Sequence, residues 1–268
     1  QGGVVDTPDG RWFCYLFQDR GAAGRMPVLI PMTWEDGMPV IGENGKVPAM
    51  VTNRCERPGW VCAPLYGSDD FRGEMKPFWE WNHIPDRSLL SYGSGRYTIR
   101  FGKTCESLTQ AANTLTQRTL YPGCFAAVTL DGSQLRDGDI AGLCALQDRW
   151  AFAGLACEAG ELFVTLRARN ENGPADGVEV ERISVPGDRV RLGVWFDFEC
   201  MKDKATFYLQ QNGAWRELGQ GYRHQMTYLL THFTGYRIAL FGFAREGAGG
   251  SAAFEDFVYE TEKPACYI

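Results

Sequence analysis

Downstream of residue 76 the chain keeps one rhythm, short runs of alternating apolar and polar positions closed by Gly, Asp or Asn at intervals of about ten residues. A period of two predicts strands, and their regular spacing predicts a sandwich. The expected strands are residues 97–101, 114–119, 125–130, 140–147, 151–156 and 162–168. Residues 178–185, 190–198, 206–211, 215–218, 236–243 and 253–259 complete the set. Gln211-Asn212-Gly213-Ala214 reads as a two-residue hairpin, because Asn-Gly supplies the positive φ angles that a tight turn requires. One stretch, residues 222–232, hints at a short helix, and the glycines from Gly247 to Gly250 are expected to form a flexible hairpin tip.

The first part of the chain has a different texture. Residues 1–10 read as a short strand and a Pro-Asp-Gly turn, and residues 11–18 as a strand apolar on both faces. A Gly-rich loop (19–25), a strand with Pro27 and Pro31 (26–32) and turns at Asp36-Gly37 and Asn44-Gly45 follow. So small a unit cannot readily stand alone, and another domain is expected to cover it. Residues 49–76 lack periodicity and read as a linker. The stretch Phe78-Trp79-Glu80-Trp81-Asn82-His83-Ile84-Pro85-Asp86 is a strand ending in a turn, and it opens the main domain. The expected division is therefore 1–48, 49–76 and 77–268.

Composition narrows the functional classes. Of 268 residues, 13% are aromatic, an excess that favours β structure or sugar binding. A formal net charge of -6 argues against nucleic acid as a partner, and no apolar run is long enough for a membrane span. Nine scattered cysteines, without zinc spacing or a paired pattern, are expected to be reduced thiols acting as small core residues. With no signal peptide visible at the start, this leads to an expected cytoplasmic location.

Catalytic patterns are sparse. Gly93-Ser94-Gly95 reads as a turn, not a nucleophile elbow, and His83, His224 and His232 lack metal-ligand spacing, so no metal or other cofactor is expected. Asp137 with Asp139 reads as a turn, and Asp197, Glu199 and Glu255 as outward strand positions, which leaves no acid and base pair. A sugar site needs an aromatic platform, for which Trp79, Trp81, Trp150, Trp195, Trp215, Tyr222, Tyr228 and Phe233 come into question. Most of these are expected in the core. Phe233, in His232-Phe233-Thr234-Gly235, could present its ring from a loop.

Several motifs in order carry a resemblance. Gln1-Gly2-Gly3, Asp6 to Pro8, Gln18-Asp19-Arg20-Gly21, Gly24-Arg25, Pro31, Trp34, Asp36-Gly37 and Pro39-Val40-Ile41-Gly42 resemble the last strands of the five-bladed propeller of glycoside hydrolase family 43. Trp79-Glu80-Trp81-Asn82-His83 resembles the start of the β-sandwich that follows that propeller in the family's β-xylosidases. Asn113 to Arg118, Asp137 to Gly142, Phe233-Thr234-Gly235 and Phe254-Glu255-Asp256-Phe257 are similar to later parts of the same sandwich.

The resemblance implies an all-β chain, a concanavalin-like jelly-roll sandwich preceded by a propeller-blade remnant. It also implies that the three catalytic carboxylates, and any metal at the propeller centre, belong to a segment upstream of Gln1, so that the chain alone is not expected to be catalytic. Two substrate-binding positions carry over: Arg25, matching an arginine that hydrogen-bonds the sugar, and Phe233, matching an aromatic on the pocket rim. Arg25 could equally pair with a neighbouring carboxylate, and Phe233 could pack between domains. The implied partners are xylo-oligosaccharides or arabinoxylan-derived sugars and the upstream propeller. A free carbohydrate-binding module and a structural, homo-oligomerising module are the competing readings.

Overall fold

The computed structural model describes residues 1–52 and 59–265. Four strands, β1 (Gly3–Asp6), β2 (Trp12–Asp19), β3 (Arg25–Glu35) and β4 (Met38–Ile41), form an antiparallel sheet in the order β1-β2-β3-β4. This up-and-down order is that of a propeller blade. Pro27 and Pro31 lie inside β3 opposite Phe17 and Phe13, and the β3–β4 turn sits at Asp36 and Gly37, both at positive φ.

The remaining strands are β5 (Glu80–Trp81), β6 (Leu90–Gly93), β7 (Arg96–Arg100), β8 (Leu115–Arg118) and β9 (Gly123–Asp131). Next come β10 (Asp139–Leu146), β11 (Ala151–Glu158), β12 (Glu161–Ala168), β13 (Val178–Ser184) and β14 (Arg189–Asp197). The chain ends with β15 (Lys204–Gln211), β16 (Ala214–Glu217), β17 (His224–Gln225), β18 (Arg237–Ala244) and β19 (Ser251–Glu260). They build two stacked antiparallel sheets, β13-β12-β11-β10-β18-β8-β5 and β16-β15-β14-β9-β19-β7-β6, with β17 added to β15. The architecture is all-β, the sandwich that the alternating pattern predicts with the jelly-roll form that the resemblance implies.

Alternation decides which side chain meets which layer. In β9 the side chains of Cys124, Ala126, Val128 and Leu130 enter the inter-sheet core, whereas Phe125 and Ala127 point outward beneath Tyr208, Trp195 and Trp215. In β10 Ala141, Leu143 and Ala145 face inward, and Ile140, Cys144 and Leu146 face outward into a second apolar layer capped by Cys105, Leu108 and Ala111. Cys14, Cys105, Cys124, Cys144 and Cys157 are buried free thiols, while Cys62 and Cys200 are exposed.

Four sequence-based expectations change. Residues 222–232 do not form an α-helix. His224 and Gln225 pair with Ala205 and Lys204 of β15, Met226 is drawn into the core, and only Leu230–His232 forms a 3-10 turn. The 247–250 segment is not a hairpin tip but a crossover between the two sheets, tied to Phe101 by two backbone hydrogen bonds. Of the aromatic stretch at 78–86 only Glu80–Trp81 is strand, with Phe78 and Trp79 buried. Within the expected linker, Asp69 bridges Phe257 through both backbone groups and Phe71 is fully buried, so the sandwich takes in residues before 77. The Asp69 carboxylate accepts the Trp79 indole N–H at 2.7 Å, a local reward for that early docking.

Candidate functional site

The blade and the sandwich meet where the loop after β2 touches the loop before β18. A 3-10 turn, Gly21–Ala23, leads into Gly24 at φ 85°, and Gly235 opposite it has φ 80°. Both need the left-handed region that glycine adopts without a Cβ penalty. Space demands glycine as well: a Cβ on Gly24 would lie 2.5 Å from the Gly235 nitrogen, and one on Gly235 would lie 2.4 Å from the Ala23 oxygen. Two backbone hydrogen bonds lock the contact, Arg25 N–H to Phe233 O at 2.9 Å and Tyr236 N–H to Ala22 O at 3.0 Å.

This clamp sets the side chains of Arg25 and Phe233 together. The Arg25 guanidinium lies between two rings, 4.3 Å from the centroid of Phe17 and 5.0 Å from that of Phe233. Its Nε donates to Asp19 Oδ1 at 3.3 Å, and its Nη1 donates to Gln1 Oε1 at 2.9 Å. Stacking and a carboxylate partner together fix a planar fork of donors. Phe233 remains 46% exposed, so part of its ring is open to solvent.

Behind the clamp sits Asp203, almost fully buried, whose Oδ2 accepts the Ala22 N–H at 3.0 Å. Burial raises its carboxyl above the ordinary aspartate range, the Ala22 hydrogen bond working in the opposite sense. Sequence reasoning missed Asp203, Phe17 and the pairing of Gly24 with Gly235. The Gly21 and Gly24 spacing was visible, but nothing local shows which distant backbone it would meet.

The other sequence candidates are committed elsewhere. Asp137 accepts the Gly160 N–H at 2.7 Å, and Asp139 is buried, accepting the Arg136 N–H at 2.8 Å. Asp197 and Glu199 pair with Lys202. Glu255, expected as an open outward position, is only 9% exposed because Arg96 and Arg189 both close on it. Trp79 and Trp150 are core, and Trp81 packs half-buried against Tyr97.

On the blade, Val4, Val5, Tyr15, Trp34, Met38 and Ile41 are exposed. A cleft of about 730 Å³ lies among Trp12, Phe13, Met32, Trp34 and Met50. The exposed residues are divided between the two faces of the sheet, since neighbours in a strand such as Val4 and Val5 point to opposite sides.

Comparison with known proteins identifies the family of the fold. The family described as the beta xylosidase C-terminal concanavalin A-like domain matches residues 68–260. A protein of Xylanibacter ruminicola that carries a provisional beta-xylosidase name is 32% identical over 227 residues, 80% of this chain and 39% of its own length. A solved bifunctional GH43-CE protein of Bacteroides eggerthii superposes with a TM-score of 0.88 at 37% identity, covering 98% of this chain and 34% of that one. An engineered GH43 glycoside hydrolase with endo-xylanase and exo-arabinofuranosidase activity superposes with a TM-score of 0.82 at 29% identity, over 98% of this chain and 54% of that one. The chain thus spans between about a third and about half of these relatives. It belongs to the β-xylosidase C-terminal concanavalin A-like domain family, the C-terminal part of glycoside hydrolase family 43 proteins.

Proposed function

We propose that this chain is the C-terminal accessory region of a xylan-degrading glycosidase of the β-xylosidase or α-L-arabinofuranosidase type. Its sandwich braces a catalytic propeller, and Arg25 and Phe233 complete the sugar pocket on that propeller. The observation that carries the reading is the clamped pair itself. A guanidinium fixed between two rings, beside a half-exposed aromatic face, offers directional donors and an apolar platform, the two things a sugar ring needs. The exposed apolar blade supports the same reading, because the rest of a propeller would cover it.

Catalysis on this reading belongs to carboxylates of the preceding segment, and the present chain positions substrate. The test is steady-state hydrolysis of an aryl xyloside by the chain joined to that segment. A charged hydrogen bond to a sugar hydroxyl is worth about 1.5–3 kcal/mol, so Arg25→Ala should lower kcat/KM roughly 10- to 100-fold. Phe233→Ala should lower it by a smaller factor, mainly through KM. Unchanged kinetics in both variants would remove the pocket role while leaving the family assignment intact.

A further inference from the structure

Arg25 is held by its neighbours on one face of the blade. Residues 17 and 19 of β2 share a face by the two-residue period, and Arg25 at the start of β3 is registered opposite Asp19, with Pro27 opposite Phe17. Phe17 is therefore the diagonal neighbour of Arg25 across the ladder, within reach of its guanidinium, which lies 4.3 Å from the ring centroid. The three nitrogens of that group are not used alike. Nε donates to Asp19 and Nη1 to Gln1, whereas Nη2 has no hydrogen-bond partner among the described residues and is not sealed from solvent.

Stability is a poor account of this arrangement. Asp19 is 52% exposed, and an ion pair so placed contributes little to folding. What the contacts do is confine a side chain that otherwise has many rotamers. Two hydrogen bonds fix the rotation about the Nε–Cζ bond, and the rings of Phe17 and Phe233 fix the plane. Only the Nη2 corner, with its two N–H groups, is left to meet a ligand. An acceptor arriving there finds a donor whose freedom was lost on folding, so little remains to be lost on binding.

We propose that Asp19 is a positioning residue: by holding Nε against the Phe17 ring, it directs Nη2, and not the Nε edge, at the sugar. Asp19 does not touch the ligand and acts through Arg25. That the ligand is a sugar rests on the functional reading above; the fixing of the guanidinium rests on the geometry alone.

The first readout needs only the 268-residue chain. In nitrogen-resolved proton spectra, the Arg25 Nε–H signal, assigned through Arg25→Lys, should exchange with water at least about tenfold faster in Asp19→Ala than in wild type, at unchanged melting temperature. Asp19→Asn, which keeps an acceptor oxygen, should recover most of the protection. Asp19→Ser, too short to reach Nε, serves if the alanine variant does not fold. Equal exchange in wild type and in the truncated variants would overturn the proposal.

The second readout is a double-mutant cycle on aryl xyloside hydrolysis by the chain joined to its preceding segment. Asp19→Ala should lower kcat/KM about tenfold alone and have no further effect in an Arg25→Ala background, because a residue that acts through another loses its effect when that other is gone. The same loss in both backgrounds, or no loss in the first while Arg25→Ala loses activity, would overturn the proposal. Unchanged kinetics of Arg25→Ala with the exchange difference intact would instead remove the sugar-pocket reading and leave the guanidinium held by Asp19.

Discussion

Gly24 and Gly235 touch backbone to backbone where Arg25 and Phe233 meet, one of several contacts that hold the blade against the sandwich. Neither residue can carry a side chain without moving main chain on the other side.

Gly24→Ala and Gly235→Ala therefore each combine a strained positive φ with a collision against backbone, a cost of about 2–4 kcal/mol at the interface. The expected outcome is loss of blade docking with the sandwich intact. Limited proteolysis should cleave within the first 50 or so residues (about the length of a small unstable unit) while the sandwich fragment persists, and thermal unfolding should lose cooperativity. A variant with wild-type cleavage and a single unchanged transition would show that the contact is dispensable.

Asp203 gives the same interface a pH response. Its carboxyl is raised in the folded protein, so its contribution to stability is fully present below the unfolded aspartate range and is lost as pH rises through the folded value. Docking should tighten as pH falls through that folded value. Asp203→Asn can still accept the Ala22 N–H and has no charge to bury, so it should dock at least as well as wild type at pH 7 and lose the pH dependence. Asp203→Leu leaves that N–H unsatisfied at a cost of about 1–3 kcal/mol. Urea unfolding of both variants at pH 5 and pH 7.5 separates these outcomes; an Asn variant weaker than wild type at both values would contradict the account.

Much of the fold is legible because strand burial repeats every second residue. The runs around Val128, Leu143 and Val194 show their strands without any tertiary knowledge, and Asn212-Gly213, both at positive φ, turns the chain as its chemistry requires. Pairings between distant segments leave no such trace. Asp69 docks on Phe257, His224 joins β15, and Gly24 meets Gly235, each by contacts that short-range pattern does not encode. Arg25 and Phe233 were picked out by resemblance to a family, and their adjacency came only with the fold.

Two buried groups in the sandwich oppose each other on acidification, and their magnitudes decide the outcome. Burial holds His224 neutral, lowering it from 6.5 to about 4, with its Nε2 facing the Arg149 carbonyl at 3.1 Å, Tyr222 at its other nitrogen and Lys204 nearby. Its stabilising contribution is present above pH 6.5 and is lost as pH falls toward 4, a change of roughly 3 kcal/mol. Asp139, fully buried, is raised from 3.8 to about 6 by burial, against the smaller opposing effects of the Arg136 N–H and the Arg136 charge. Its contribution is present below the unfolded value and is lost as pH rises through 6, again roughly 3 kcal/mol. In the wild-type chain the two nearly cancel between pH 6.5 and 4. Asp139→Asn keeps an acceptor for the Arg136 N–H and removes the buried charge, so it should be more stable than wild type at pH 7 by roughly 2–3 kcal/mol, an advantage that shrinks toward zero by pH 4. The variant should also expose the His224 slope, losing stability steadily on acidification. Urea unfolding of both proteins at pH 7, 5.5 and 4 measures this directly, and a difference that does not vary with pH would refute the opposition.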